Sequence, residues 1–100
     1  MKIKYEKGLE KIFNKLKSCD NKENFELLYN NYNNLVYKIA FTILKNKDDS
    51  EDIVQVVFSK IYSLPKDKLP TKHTLSWIYS VTKNESISLL RKKKNNMEKH

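Results

Sequence analysis

What this sequence has least of is glycine, with one residue among 100, and proline, with two. Tight hairpins draw on residues that accept positive φ or preset a turn, so this scarcity argues against a hairpin-rich β fold. A single cysteine, Cys19, cannot form an internal disulfide, and no CxxC or Cys/His cluster supplies a tetrahedral zinc shell. The ordinary reading is a reduced, cytoplasmic protein that neither staple stabilises. Long apolar runs are missing too. Lysine interrupts every stretch, which leaves neither a transmembrane helix nor a secretory signal peptide. His73 is the only internal histidine, and no Gly-rich phosphate loop, HExxH or Gly-x-Ser-x-Gly occurs. The acidic run Asp48, Asp49, Glu51 and Asp52 lacks the alternation, the glycine and the distal glutamate of an EF-hand loop. The chain reads as a non-enzyme with no cofactor and no metal.

What is present points to helices. With 39% apolar residues the chain can bury a modest core, and its length supports one compact domain. Apolar residues at steps of three and four predict four helical segments. The first covers residues 3–17, with Tyr5, Leu9, Ile12, Phe13 and Leu16 on one stripe. The second carries Phe25, Leu28, Tyr29, Tyr32, Leu35, Val36, Ile39, Ala40, Ile43 and Leu44, opened by an Asp20/Glu23 capping box or by Asn21. The third, residues 50–63, buries Ile53, Val54, Val57, Phe58, Ile61 and Tyr62, with Asp48 or Asp49 as its N-cap and Pro65 as its stop. Residues 64–71 form a short rigid loop. The fourth helix starts near Thr71 or Thr74, turns Leu75, Ile78, Thr82, Ser86, Leu89 and Leu90 to one side, and ends in basic residues before a polar tail from Asn95. The result is an all-α bundle of four helices without a sheet, its core supplied mostly by helices two, three and four. An N-terminal helix in residues 1–20 packs on a helical domain in 21–94, followed by a tail in 95–100.

Charge is unevenly distributed. The chain has 20 Lys+Arg against 12 Asp+Glu, a formal net charge of +8, and nineteen of the cations are lysine. From Lys66 onward nine cations face three anions, whereas four of the twelve acids crowd into residues 48–52. Two differently charged surfaces suggest two partners, although a solvated lysine-rich surface and simple helix capping explain the same residues. The fourth helix sets Lys83, Asn84, Arg91 and Lys92 beside Trp77 and Tyr79, combining phosphate attraction with aromatic faces, as nucleic acid requires. Asn84 is placed to read a base edge, against a bland reading as a solvated mid-helix residue. Trp77 serves equally well as core packing.

Four blocks together carry a family likeness: Phe25-Glu26-Leu27-Leu28-Tyr29, the run from Asp48 to Phe58, Trp77-Ile78-Tyr79-Ser80-Val81-Thr82-Lys83-Asn84, and Leu89-Leu90-Arg91-Lys92. Their order and spacing, over about residues 9–94, resemble region 2 of bacterial extracytoplasmic-function (ECF) sigma factors, the small members of the sigma-70 family. The resemblance implies a transcription-initiation subunit that binds core RNA polymerase and recognises and melts the promoter minus-ten element. It implies that Asp49, Asp52 and Gln55 dock on the clamp helices of the largest polymerase subunit. It places Lys83, Asn84, Ser88 and Arg91, with Lys92 and the Lys72 and His73 end of the preceding loop, on the minus-ten nontemplate strand, where an extruded base is captured. Trp77 and Tyr79 match the aromatic pair near the melting face, with Trp77 also suited to bracing its helix.

Val56 departs from the acidic residue that commonly follows the glutamine, and Ser80 and Lys83 stand where arginine or small residues are frequent. The family continues into a second domain, region 4, so the sequence reads either as a domain cut from a longer protein, with residues 92–100 like the start of the linker, or as a short standalone variant. The alternative reading is a helical protein-interaction module that docks an anti-sigma factor or another acidic partner without productive DNA contact. A third is a basic bundle that binds nucleic acid or anionic membrane surfaces without selectivity, and no reading inserts the chain into a membrane.

Overall fold

Apolar side chains recurring every three to four residues wind this chain into helices that must bury one stripe each, and the fold is how four such stripes meet. The computed structural model describes residues 2–18 and 22–98, with side chains for 8–18 and 22–94. Helix α1 covers Lys2–Ser18, α2 Lys22–Leu44, α3 Lys47–Ser63 and α4 Thr74–Glu98. A single 3-10 turn, Lys66–Lys68, lies between α3 and α4. No strand occurs among the described residues, and no helix there is long and apolar enough to cross a membrane. Helices α2 and α4 form the middle pair, each against every other helix, and α1 and α3, which do not adjoin one another, flank them.

The buried stripe of α2 is Leu28, Tyr32, Val36, Ala40 and Leu44, at steps of four, while Phe25, Tyr29, Leu35 and Tyr37 are half-buried at its margins. From α3 come Ile53, Val54, Val57, Phe58 and Ile61. Truncating Phe58, 2% exposed, to alanine costs about 3–5 kcal/mol through lost transfer energy and a cavity. Leu35, half-buried, costs less.

The helices contribute unequally, and not in the order that hydropathy suggests. Among the described side chains, helix α1 supplies Leu9, Ile12, Phe13 and Leu16 to the core, whereas α4 supplies one large buried side chain, Ile78. The rest of the inner face of α4 is Thr74, Thr82 and Ser86, all at 0% exposure. These small side chains let α4 approach the bundle closely, and Ser86 Oγ satisfies itself on the Thr82 carbonyl at 2.8 Å. Close approach also marks α1, where a Cβ on Gly8 would lie 3.0 Å from the Tyr32 hydroxyl. Two side chains expected in the core are outside it: Tyr62 and Leu90 are 62% and 41% exposed. Each lies at the edge of its helix's apolar stripe, facing solvent where no further helix covers it.

Helix ends also depart from expectation. The N-cap of α3 is Asn46, not Asp48 or Asp49: its extended backbone (φ −141°) precedes the helix, and its side-chain oxygen accepts from the Asp49 amide at 2.8 Å. The helix therefore begins at Lys47, and the two aspartates fall in its first turn, where the dipole favours them. Leu44 ends α2 because Lys45 turns left-handed at φ 55°. His73 repeats that device (φ 55°) just before α4, and its carbonyl accepts the Trp77 amide at 3.0 Å. At its other end α4 remains helical through Glu98 rather than ending before Asn95. The Asp20/Glu23 or Asn21 cap, and Tyr5 on its stripe, fall outside the described side chains because Asp20, Asn21 and Tyr5 do.

Candidate functional site

Asn46 aims α3 so that its acidic first turn meets the basic last third of α4. Asp49, whose side chain is 15% exposed, accepts from Lys93 Nζ, and one helical turn after Val56 the pairing repeats as Lys60 with Glu85. The two ion pairs sew α3 to α4 along one seam. The anionic and cationic segments are therefore partly each other's partners, a relation that charge counting along the chain does not reveal.

Asp52 and Gln55 point elsewhere. Both are exposed, one turn apart on α3, and no ion pair holds Asp52 among the described residues. Gln55 Nε2 reaches the Tyr29 hydroxyl at 3.4 Å and lines an open groove of about 540 Å³ between α2 and α3. The groove is walled by an aromatic chain: Phe25 sits edge-on to Phe58 at 6.5 Å and to Tyr62 at 5.0 Å, and Tyr29 to Phe58 at 4.9 Å. Of the three residues assigned to one docking face, Asp52 and Gln55 share it, and Asp49 is turned toward α4. Val56, 41% exposed, extends the face with an apolar side chain. Among the described residues no acidic cluster is arranged to hold a metal.

Helix α4 presents the second candidate surface. Its buried face of Thr74, Ile78, Thr82 and Ser86 dictates the opposite one, on which Ser76, Ser80, Lys83, Asn84 and Arg91 are all exposed. Tyr79, 51% exposed, stands on one flank, and from Tyr79 to Arg91 the face runs about 18 Å. Sequence reasoning passed over Ser76 as a member of this face and named Ser80 only as a departure; their step of four from one to the other was the available signal. Trp77, seven residues before Asn84, lies on the same side of the helix, but its half-buried ring is turned to α1, where it meets the edge of Phe13 at 5.8 Å. Only Tyr79 of the expected aromatic pair offers its ring to a ligand.

Ser88 and Lys92 lie on the α3 flank. With Arg91 they line a groove of about 460 Å³ whose other wall includes Ile53 and Val56. Lys72 and His73 are exposed at the start of α4. The loop before them is anchored at its middle: Leu69 is 2% exposed, and its carbonyl accepts from Lys17 Nζ of α1 at 2.8 Å. Nothing local in the sequence marks that contact, which closes 52 residues of chain.

Comparison with known proteins supplies context for this geometry. The family model for sigma-70 region 2 matches residues 28–96. The chain is similar to the ECF RNA polymerase sigma factor SigX of Bacillus subtilis (strain 168), 27% identical over 70 residues, which are 70% of this chain and 36% of that protein. It is also similar to the RNA polymerase sigma factor SigV of the same organism, 36% identical over 58 residues, 58% of this chain and 35% of that protein. The matches thus span about a third of the length of these relatives. No solved structure matches the chain significantly.

Proposed function

This chain belongs to the sigma-70 region 2 family, and on that premise we propose that it binds core RNA polymerase and recognises and opens the promoter minus-ten element as part of an ECF sigma factor. The observation that carries the reading is the exposed face of α4. Within the matched residues it sets Lys83, Asn84 and Arg91 on one exposed side of the helix, with Tyr79 on its flank and the half-buried Ile87 between Lys83 and Arg91.

Each part has a physical task. Lys83 and Arg91 attract phosphates and release counterions, which gives affinity without selectivity. Tyr79 stacks on an unpaired base, worth about 1–3 kcal/mol per base. Asn84 reads a base edge, because its amide presents a donor and an acceptor side by side. Unstacking a base costs a few kcal/mol, which the loop of residues 64–73 offsets with a shaped surface carrying Lys66, Lys68, Lys72 and His73. Trp77 acts indirectly, holding α4 against Phe13. On α3, Asp52 and Gln55 take the polymerase, while Asp49 orients the α3–α4 seam.

Fluorescence anisotropy of labelled single-stranded minus-ten oligonucleotides of varied sequence, at two salt concentrations with and without core RNA polymerase, tests the reading. Selective binding that requires core enzyme is expected. Binding that ignores both sequence and core enzyme and collapses with salt overturns it, leaving a basic bundle. Core-enzyme-independent capture by an acidic antagonist, with no DNA selectivity, leaves the protein-interaction reading instead.

A further inference from the structure

Helix α1 lies wholly outside the segment that matches the family model, which begins at residue 28, yet it makes the contact that fixes the loop before α4. That loop spans residues 64–73. Its 3-10 turn closes through Lys68 N to Pro65 O at 2.9 Å and Leu69 N to Lys66 O at 3.2 Å, and it carries Lys66, Lys68, Lys72 and His73 within eight positions. Mutual repulsion among the three lysines, only partly offset by Asp67, favours a spread ensemble over one shape. Two anchors oppose this. The Leu69 side chain is inserted in the core at 2% exposure, and the Leu69 carbonyl, which belongs to no helix ladder, accepts from the partly buried Lys17 ammonium at 2.8 Å. One turn before Lys17 on the same face, Phe13 meets the edge of Trp77 at 5.8 Å and fixes the first turns of α4 on the other side of the loop.

We propose that Lys17 is a positioning residue for base recognition: by pinning the Leu69 carbonyl to α1 it holds residues 64–73 in the shape that distinguishes one minus-ten base from another. The inference rests on the promoter reading above. Lys17 touches no nucleic acid in this role. It adds a cation beside a basic loop yet spends it on a neutral backbone acceptor, so its removal changes the shape of the loop more than the field around it.

The test compares the full chain with its Lys17→Met variant, which keeps the apolar stem and loses the donor, and with Lys17→Arg, which restores one. Each is mixed with Bacillus subtilis core RNA polymerase, and the ratio of Kd for mismatched over matched single-stranded minus-ten oligonucleotides is measured across a salt series. Loss of one charge-assisted hydrogen bond predicts that Lys17→Met narrows this ratio about 5- to 10-fold, mainly by weakening the matched oligonucleotide, and that Lys17→Arg recovers most of it. The slope of log Kd against log salt stays at the parent value, and amide exchange across residues 69–73 quickens in Lys17→Met.

A selective parent whose Lys17→Met variant keeps its selectivity overturns the positioning role and leaves the promoter reading standing. Equal weakening of all sequences, with a salt slope reduced by about one, also overturns it and makes Lys17 a phosphate contact. A parent without selectivity in the presence of core enzyme overturns the promoter reading itself. A thermal unfolding curve for each variant separates these outcomes from loss of fold, and Lys17→Gln, too short to reach the Leu69 carbonyl yet still polar, takes the place of Lys17→Met where that variant unfolds.

Discussion

Lys93 donates to the Asp49 carboxylate, joining the end of α4 to the first turn of α3 across 44 residues of sequence. Asp49 is the more enclosed partner, at 15% side-chain exposure against 50% for Lys93. The contact makes one surface of two charge clusters. It also divides labour among the aspartates of α3, because Asp49 is engaged within the chain and Asp52 is left to face outward.

That division gives a first prediction. Asp52→Ala and Gln55→Ala are expected to weaken binding to core RNA polymerase about tenfold or more, as truncated polar residues in the middle of an interface do. Asp49→Ala is expected to act mainly within the chain, costing up to about 1 kcal/mol of stability and weakening polymerase binding less than Asp52→Ala. Anisotropy titration of labelled chain with core enzyme gives the affinities and chemical denaturation gives the stabilities. Equal affinity losses for Asp49→Ala and Asp52→Ala would contradict the division.

The α4 face yields a second prediction that separates reading from attraction. Asn84→Ala is expected to cost about 1–3 kcal/mol on one preferred base and little on the others, flattening selectivity without altering the salt slope. Arg91→Ala is expected to weaken every oligonucleotide alike and to reduce the slope by about one. Lys93 does not serve as the sequence-blind control, because removing it also releases Asp49. Titrations of single-base variants at several salt concentrations measure both effects, and a uniform loss for Asn84→Ala would place it in packing.

The helices themselves were legible because their apolar steps are local: Leu28, Tyr32, Val36 and Ala40 announce α2 by spacing alone. The core share of α4 was overestimated for a complementary reason. Leu75, Leu89 and Leu90 carry the apolar signal there but stay half-buried or exposed, while the small side chains of Thr74, Thr82 and Ser86 are what seat the helix. The N-cap was misplaced because Asn46, Asp48 and Asp49 are all good caps by type, and only the extended backbone at Asn46 selects among them. On the candidate site, exposure of Lys83, Asn84 and Arg91 followed from the helical period. The turning of Trp77 onto Phe13 and the pairs Asp49–Lys93 and Lys17–Leu69 did not, since each joins segments far apart in sequence.

Lys45 supports a stability prediction independent of function. It is exposed and left-handed at φ 55°, just past the end of α2, with its amide on the Phe41 carbonyl at 2.8 Å. A Cβ is unfavourable there, and glycine is the residue that helix ends favour in this conformation. Lys45→Gly is expected to stabilise the chain by about 0.5–1 kcal/mol, the relief of backbone strain exceeding the loss of a cation at the helix terminus. A lower denaturation midpoint would show that the charge outweighs the strain.

Thr82 tests the packing of α4 most directly. Its side chain is fully buried at 0% exposure, and its Oγ1 has no hydrogen-bond partner among the described residues, whereas one turn later the Ser86 hydroxyl is satisfied on the Thr82 carbonyl. The two hydroxyls therefore respond oppositely to removal. Thr82→Val keeps the branched shape, replaces an unsatisfied polar atom with a methyl group and is expected to raise stability by about 1 kcal/mol. Ser86→Ala removes a satisfied bond and is expected to be neutral or to lower stability by up to about 1 kcal/mol. Both side chains face the core, away from Lys83, Asn84 and Arg91, so neither substitution is expected to move oligonucleotide selectivity. Denaturation midpoints and selectivity ratios for the two variants, measured side by side, decide the matter: a destabilised Thr82→Val would mean that its hydroxyl is satisfied in solution and contributes to seating α4.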